Sequence, residues 1–301
     1  MAPFHLARRQ TFTPLLTPFS DNRIDIEIFK AAIDRQIIAG VDGIVIGDPI
    51  GEGPTLTQGE RDILLATSIG QARPHLTVIA AAGTNCTAGT IGQCRRAEQL
   101  GADALLVTVP YYSKPMLRGV IDHFRQIAVV VGIPLIVDDD PGRTARDYGP
   151  ALLEGLAELD IVVGICHGAD RLSHFATLPA PLKDRFVHLS RDEKTFLQFL
   201  DAGGHGAVSP LANVIPSPVQ TMITMMGGVR NSNSLANAIE AVSVALGPDN
   251  VAALKDAQCF LHPYSPDVRL PLVAAEPETV IRVRRALAPF TRYKPGMKSA
   301  A

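Results

Sequence analysis

The sequence lacks the features that direct a chain to a membrane, a nucleic acid or a secretory route. Its formal net charge is −2 and its pI about 6.4, so it has no basic excess to attract nucleic acid or anionic lipid. The longest apolar run, residues 127–137, is broken by Gly132 and Pro134 and is too short to span a bilayer. The first twelve residues contain no continuous apolar core of a signal peptide. We therefore expect no nucleic-acid partner and no membrane association.

Paired cysteines and a dinucleotide fingerprint are also missing. The four cysteines form no CxxC motif and show no regular spacing; they are Cys86, Cys94, Cys166 and Cys259. In a chain of 301 residues this pattern predicts reduced thiols, a cytoplasmic protein, and neither a disulfide framework nor a zinc motif. No GxGxxG follows a predicted strand, which argues against a dinucleotide cofactor. We predict no cofactor and no bound metal.

What the chain does contain is a repeated alternation of short β-branched runs and longer amphipathic segments. Hydrophobic residues make up 47% and charged residues 19%, which is enough apolar surface for a sizeable core. The segments recur every 20 to 35 residues or so, as expected for a strand, a crossover helix and two loops. The predicted strands are Pro14–Thr17, Gly43–Ile46, Leu76–Ala81, Ala104–Thr108, Pro134–Val137, Ile161–Ile165, Phe186–Leu189 and Gly206–Ser209. Helical patterns between them include Ile26–Ala39, Leu56–Ser68, Ala88–Leu100 and Leu117–Val131.

Eight such units predict an α/β fold of the (β/α)8 barrel type, also called a TIM barrel. Glycine-containing turns introduce several strands, as in GVDGIV at 40–45 and GADALL at 101–106. After the eighth strand the pattern is helical, with segments at Val219–Met226, Ser234–Ala245, Val251–Leu261 and Glu276–Ala288. We predict a barrel over residues 1–225 and a small C-terminal helical domain over residues 226–301.

The carboxyl ends of the barrel strands are where chemistry collects in this fold, and the sixth ends in the reactive side chains of VGICHGAD. Alternation along a strand sends Cys166 and His167 to opposite sides, which argues against a nucleophilic Cys–His pair. A thiolate also needs a nearby positive charge. We interpret Cys166 as a small, mostly apolar residue that packs in the barrel interior. We expect His167 to form a hydrogen bond with a backbone carbonyl.

Five segments together resemble the dihydrodipicolinate synthase and N-acetylneuraminate lyase family. They are GEGPTLTQGER, LGADALLVTVPYYSKP, PLIVDDDPGRT, GHGAVSPLANVIP and VRLPLV, in matching order from about residue 13 to residue 289. The resemblance implies a (β/α)8 barrel with a C-terminal helical domain, assembled as a dimer or a tetramer of tight dimers. It also implies lyase or aldolase chemistry on pyruvate or a related 2-oxo acid, through a Schiff base formed by a lysine on the sixth strand.

The same comparison shows that most of the family's catalytic side chains are replaced here. Where the family reads roughly VGIKEATG, the lysine position holds Cys166, and a thiol cannot form the cationic imine that serves as the electron sink. The family's two threonines align with Pro49 and Ile50, its first relay tyrosine with Asp138, and a glycine after strand seven with Arg191.

Some family positions remain. Tyr112 is retained and in the family reaches across the dimer interface; Arg143 of PGRT is retained and suits a substrate carboxylate. Val208, on the last strand, is expected to line the ligand pocket with Pro49 and Ile50. No lysine lies in a predicted strand, and Lys114 and Lys194 are the nearest that follow one.

Asp138 near the barrel axis needs a partner, because an isolated buried carboxylate is costly. Its pKa rises, or it pairs with Arg143 or Arg191, or it binds a metal with neighbouring aspartates; we favour an arginine pair.

Two functions stay open at this point. One is a homologue without class I aldolase activity that binds a small molecule. The other is a lyase or hydrolase acting on a 2-oxo acid or other small carboxylate, with its chemistry rebuilt around Asp138, Tyr112, Arg143 or a metal.

Overall fold

The computed structural model describes residues 9–224 and 231–291, where eight parallel strands close into a barrel. The barrel strands are β1 Gln10–Pro14, β4 Gly43–Ile46, β5 Thr77–Ala82, β6 Ala104–Thr108, β7 Leu135–Asp139, β8 Val162–His167, β9 Val187–Ser190 and β10 Gly206–Val208. β1 pairs with β4 on one side and with β10 on the other, which closes the sheet. The predicted fold class is therefore confirmed. A two-stranded hairpin, β2 Phe19–Ser20 and β3 Arg23–Ile24, was not predicted.

The first strand is the one that the sequence pattern misplaced. The prediction was Pro14–Thr17, whereas β1 runs from Gln10 to Pro14. β1 contains polar residues, yet it is buried. The Thr13 hydroxyl can lie in the interior because it donates to Gln36 Oε1 at 2.8 Å and is thereby satisfied. The other seven strands begin and end within two residues of their predicted bounds.

Helices surround the barrel and continue beyond it. They are α1 Ile26–Ala39, α2 Gln58–Ala72, α3 Thr87–Leu100, α4 Leu117–Ala128, α5 Pro141–Thr144, α6 Pro150–Leu156, α7 Leu172–Ala176, α8 Ala180–Arg185, α9 Phe196–Asp201, α10 Pro216–Thr224, α11 Asn231–Leu246, α12 Val251–Leu261 and α13 Pro277–Leu287. α1 shows why the boundaries were predictable: the Asp25 side chain accepts from Ile28 N at its start, and Gly40 ends it at φ 71°.

Three apolar clusters hold these elements together. One fills the space between strands and outer helices, and a second joins α10–α13 to barrel residues such as Leu16 and Ile50. The third fills the barrel itself with side chains that include Phe12, Ile136 and Cys166. Each strand thus buries both faces, as parallel barrel strands do.

The predicted domain boundary at 225/226, with the helix end at Met226, lies outside the described residues, and the division into two domains stays a prediction. Within the described ranges, no helix is both long enough and apolar enough to cross a bilayer.

Candidate active site

An arginine bridging two aspartates lies at the mouth of the barrel. Asp138 lies near the end of β7, Arg191 follows β9, and Asp48 follows β4 by two residues. Arg191 Nε and Nη2 donate to the two oxygens of Asp138 at 3.0 and 3.3 Å, and Nη1 donates to Asp48 Oδ2 at 3.0 Å. The predicted arginine partner of Asp138 is therefore confirmed as Arg191. This Asp48–Arg191–Asp138 bridge joins β7 to the loops that follow β4 and β9.

All three side chains of the bridge are shielded from water. Asp48 is 1% exposed and Asp138 4%, and the Arg191 side chain is 10% exposed. Burial raises the pKa of Asp48, although Arg191 and the Gly51 N–H oppose the rise. Burial acts to lower the pKa of Arg191, but the two carboxylates outweigh it and raise that pKa above its ordinary value. The guanidinium is thus permanently charged and held in place.

Cys166 lies beneath this bridge, in the barrel interior. Its Cα pairs in register with that of Asp138 on the neighbouring strand, and its side chain is 0% exposed. Burial raises the pKa of the Cys166 thiol far above neutral pH, and the nearby charge of Arg191 only partly opposes this. The sulfur is a protonated thiol that helps fill the interior.

His167 points the other way, toward the outer helices, as strand alternation requires. The expectation that a backbone carbonyl satisfies it is wrong. Its Nε2 lies 2.9 Å from Nδ1 of His188 on the adjacent strand, and its Nδ1 is buried without a partner. Phe175 and Phe199 pack against the ring and leave no carbonyl in reach. Burial, with the neighbouring His188 as a second cause, lowers the pKa of His167.

The three consecutive aspartates diverge rather than form one cluster. Asp139 points outward and pairs with Arg171 at 3.5 Å, and burial raises its pKa to about 6. Asp140 accepts from the backbone N–H of Arg143 and thereby caps α5. Among the described residues, no three His, Cys, Asp or Glu side chains are arranged to hold a metal ion.

Two cavities open beside the bridge. The first cavity, of about 490 Å³, is lined by Asp48, Pro49, Thr84, Tyr111, Asp138 and Arg143 among others. The second cavity, of about 520 Å³, lies toward the C-terminal helices, with a lining that includes Ile50, Arg143, Arg191, Glu193, Lys194 and Asp249. Arg143 contributes to both. Its guanidinium pairs with Asp140 at 3.4 Å and with Asp249.

The remaining predicted site residues divide between these cavities and other locations. Pro49 lies in the first cavity and Ile50 in the second, whereas Val208 packs in the barrel interior. Tyr112 lines neither cavity and is 85% exposed in the single chain, with φ at 66°. Its neighbour Tyr111 lines the first cavity instead.

Glu193 is a residue that the sequence reasoning missed. It is half-buried, and its Oε1 accepts from the Ser209 hydroxyl and from Leu211 N, both at 3.0 Å. Burial raises its pKa to about 7, so it exchanges a proton near neutral pH. The available signal was the run SRDE, which begins at the last residue of the seventh barrel strand and continues into the loop after it.

Lysine amines are absent from the interior of the described barrel. Lys194 is the one described lysine that lines either of the two cavities, and its amine lies 3.6 Å from Asp170. Lys255, on α12, is fully buried, 2.5 Å from Glu52, and also donates to the Asp267 carbonyl. Burial lowers the pKa of Lys255, and the ion pair with Glu52 opposes this. The amines of Lys194 and Lys255 are thus paired with acidic side chains and do not lie beside Cys166.

Comparison with known proteins agrees with this architecture. A model of the dihydrodipicolinate synthetase family matches residues 7–288. A 4-hydroxy-tetrahydrodipicolinate synthase of Bdellovibrio bacteriovorus is 38% identical over 207 residues, covering 69% of this chain and 71% of its own. The crystal structure of dihydrodipicolinate synthase from Thermotoga maritima superimposes with a TM-score of 0.89 at 28% identity, over 94% of this chain and 98% of its own. A structure described as the first monomeric dihydrodipicolinate synthase variant gives 0.87 at 28% identity, over 94% and 96%. The chain belongs to the dihydrodipicolinate synthetase family.

Proposed function

We propose that this chain binds a small carboxylate at the mouth of its barrel and does not carry out Schiff-base aldol chemistry on pyruvate. The proposal rests mainly on the Asp48–Arg191–Asp138 bridge above a buried Cys166. Schiff-base catalysis needs an amine that is free to attack a ketone. At that level of the barrel the available groups are a protonated thiol and a guanidinium already bonded to two carboxylates.

The carboxylate is assigned to Arg143. This arginine lines both cavities, and its side chain is 31% exposed, so it is accessible from the mouth. A guanidinium offers a fork of donors that matches a carboxylate. Its partner Asp249 is 62% exposed, and an exposed ion pair costs little to exchange for a ligand.

Glu193 favours a second candidate function, an enzyme with rebuilt proton-transfer chemistry. A carboxyl group with a pKa of about 7 in a cavity is suited to act as a general acid or base. Lyase or hydrolase activity on a small carboxylate would use Glu193 together with Arg143. The expected signature is turnover that Glu193→Gln abolishes while ligand binding persists.

The Schiff-base part is tested by proton exchange at the methyl group of pyruvate in D2O, followed by NMR. An enzyme that forms the imine and its enamine exchanges these protons, so we expect no exchange above the rate in buffer. A quadruple variant is the matched control: Cys166→Lys introduces an amine, Arg191→Gly clears the guanidinium, and Asp48→Asn with Asp138→Asn removes the two carboxylates that would otherwise stay buried without a counter-ion. Exchange catalysed by the native chain would contradict the proposal.

We also propose that the chain forms a homo-oligomer, a dimer or tetramer, in the cytoplasm. Tyr112 and Met116, both on the loop between β6 and α4, are 85% and 78% exposed, and Leu270 is 80% exposed. Large apolar side chains that are exposed in a single chain are typical of a surface that a second chain covers in the assembly. Because one similar structure is a monomeric variant, light scattering on Tyr112→Asp against native protein is the test. A native monomer would contradict the assembly.

A further inference from the structure

The bridge at the barrel mouth carries an unbalanced charge. Two carboxylates, Asp48 and Asp138, share the single guanidinium of Arg191, so with both carboxylates ionised the three groups sum to one negative charge. Both carboxylates are buried, and a buried negative charge without a counter-ion is costly.

The two aspartates and their arginine belong to the walls of different cavities. Asp48 and Asp138 line the first cavity, and Arg191 lines the second. Each of the four carboxylate oxygens accepts one bond, three from Arg191 and one from Gly51 N. A carboxylate oxygen can accept two, so each retains capacity for a donor that enters from the cavity.

The cations already on the wall of the first cavity do not neutralise this charge. Arg61 donates to the carbonyls of Gly47 and Gly53 and forms no ion pair with a described carboxylate. Arg143 pairs with Asp140 and Asp249, away from the bridge. The first cavity therefore presents a negative wall at the bridge and two guanidinium groups away from it, Arg61 and Arg143.

From this arrangement we infer that the ligand of the first cavity is an α-amino acid rather than the corresponding 2-oxo acid. Its ammonium group donates to Asp48 and Asp138, and its carboxylate binds Arg143. This inference rests on the proposed carboxylate site at Arg143, and it adds a second charged group to the ligand, the ammonium group. A cavity of about 490 Å³ has room for an amino acid of any size. A 2-oxo acid has a ketone oxygen in place of the ammonium group. This oxygen can only accept hydrogen bonds, as the carboxylates of Asp48 and Asp138 also do, so the two sides repel each other.

The test compares amino acids with 2-oxo acids of the same carbon skeleton by isothermal titration calorimetry at pH 7.5. The pairs are alanine with pyruvate, glutamate with 2-oxoglutarate, and leucine with 4-methyl-2-oxopentanoate. We expect at least one amino acid to bind at least about tenfold more tightly than its 2-oxo acid. Equal or tighter binding by the 2-oxo acid of every pair would overturn the inference, as would failure of all six compounds to bind.

Variants test whether Asp48 and Asp138 cause the preference for the amino acid over the 2-oxo acid. Asp138→Asn, which leaves Arg191 paired with Asp48, should weaken the amino acid about tenfold or more and leave the 2-oxo acid unchanged or tighter. Asp48→Asn carries the same expectation if the first variant does not fold. Asp170→Asn makes the same chemical change in the second cavity and should alter neither. An unchanged preference in both bridge variants refutes the assignment. Deuterium exchange into pyruvate, by contrast, would overturn only the proposal about Schiff-base chemistry.

Discussion

Replacing Arg191 by methionine should destabilise the protein more than almost any other single substitution at the barrel mouth. Methionine fills most of the same volume but leaves both Asp48 and Asp138 buried without a counter-ion. Removing one partner of a buried ion pair typically costs about 3–5 kcal/mol. Because two carboxylates lose their partner here, we expect a loss in the upper half of that range, about 4–5 kcal/mol at pH 7.5.

The loss of unfolding free energy in Arg191→Met should also depend on pH, and the titration of Asp48 determines whether it grows or shrinks. Burial already raises the pKa of Asp48, and Arg191 opposes that rise. Without Arg191 the folded-state pKa of Asp48 rises further above its unfolded value, so the folded variant binds a proton that the unfolded chain releases. The unfolding free energy of Arg191→Met therefore increases as the pH falls from 7.5 toward 5, and its deficit shrinks.

Urea unfolding followed by far-UV circular dichroism at one protein concentration measures both effects; the chain has no tryptophan to report by fluorescence. Arg143→Met is the matched control, since its ion pair with Asp249 is partly exposed and should cost about 1 kcal/mol or less. Adding Asp48→Asn and Asp138→Asn to Arg191→Met should recover most of the loss. A deficit no larger than that of the control, or one independent of pH, would refute the charge argument.

Three further outcomes follow from buried groups elsewhere. Cys166 should resist iodoacetamide in the folded protein while exposed Cys86 is alkylated, as peptide mass spectrometry would show; equal labelling contradicts the burial of the thiol. Lys255→Met should cost about 3–5 kcal/mol in urea unfolding, and adding Glu52→Gln should restore much of it; additive losses would exclude the pair as the cause. Burial lowers the pKa of His188 to about 4, so protonation of this ring should cost about 3 kcal/mol of stability as the pH drops from 6.5 to 4, in addition to what His123 and His167 contribute. His188→Phe should remove that share, and an unchanged pH profile in the variant would contradict it.

Local patterns were enough to predict the barrel, because each of its parts has a local cause. The Asp25 cap and Gly40 bound α1, and alternation of Cys166 with His167 gives the facing of β8. β1 was predicted in the wrong place because its buried Thr13 is satisfied by a side chain distant in sequence, that of Gln36.

The candidate site was predictable only in part. The need of Asp138 for an arginine followed from the cost of a buried charge, but the choice of Arg191 depends on how the ends of three non-adjacent strands, β4, β7 and β9, meet at the mouth of the closed barrel. The raised pKa of Glu193 depends on burial by loops, which no spacing in the sequence reveals. The His167–His188 contact likewise joins neighbouring strands 21 positions apart.

The most direct test of the central claim is borohydride trapping with pyruvate, read by intact-protein mass spectrometry. Reduction fixes any imine as a stable secondary amine on the lysine that formed it. We expect the native chain to keep its unmodified mass after treatment with pyruvate and borohydride, while the quadruple variant with Cys166→Lys, Arg191→Gly, Asp48→Asn and Asp138→Asn gains one reduced pyruvate. A pyruvate adduct on any lysine of the native chain, Lys194 and Lys255 included, would contradict the claim.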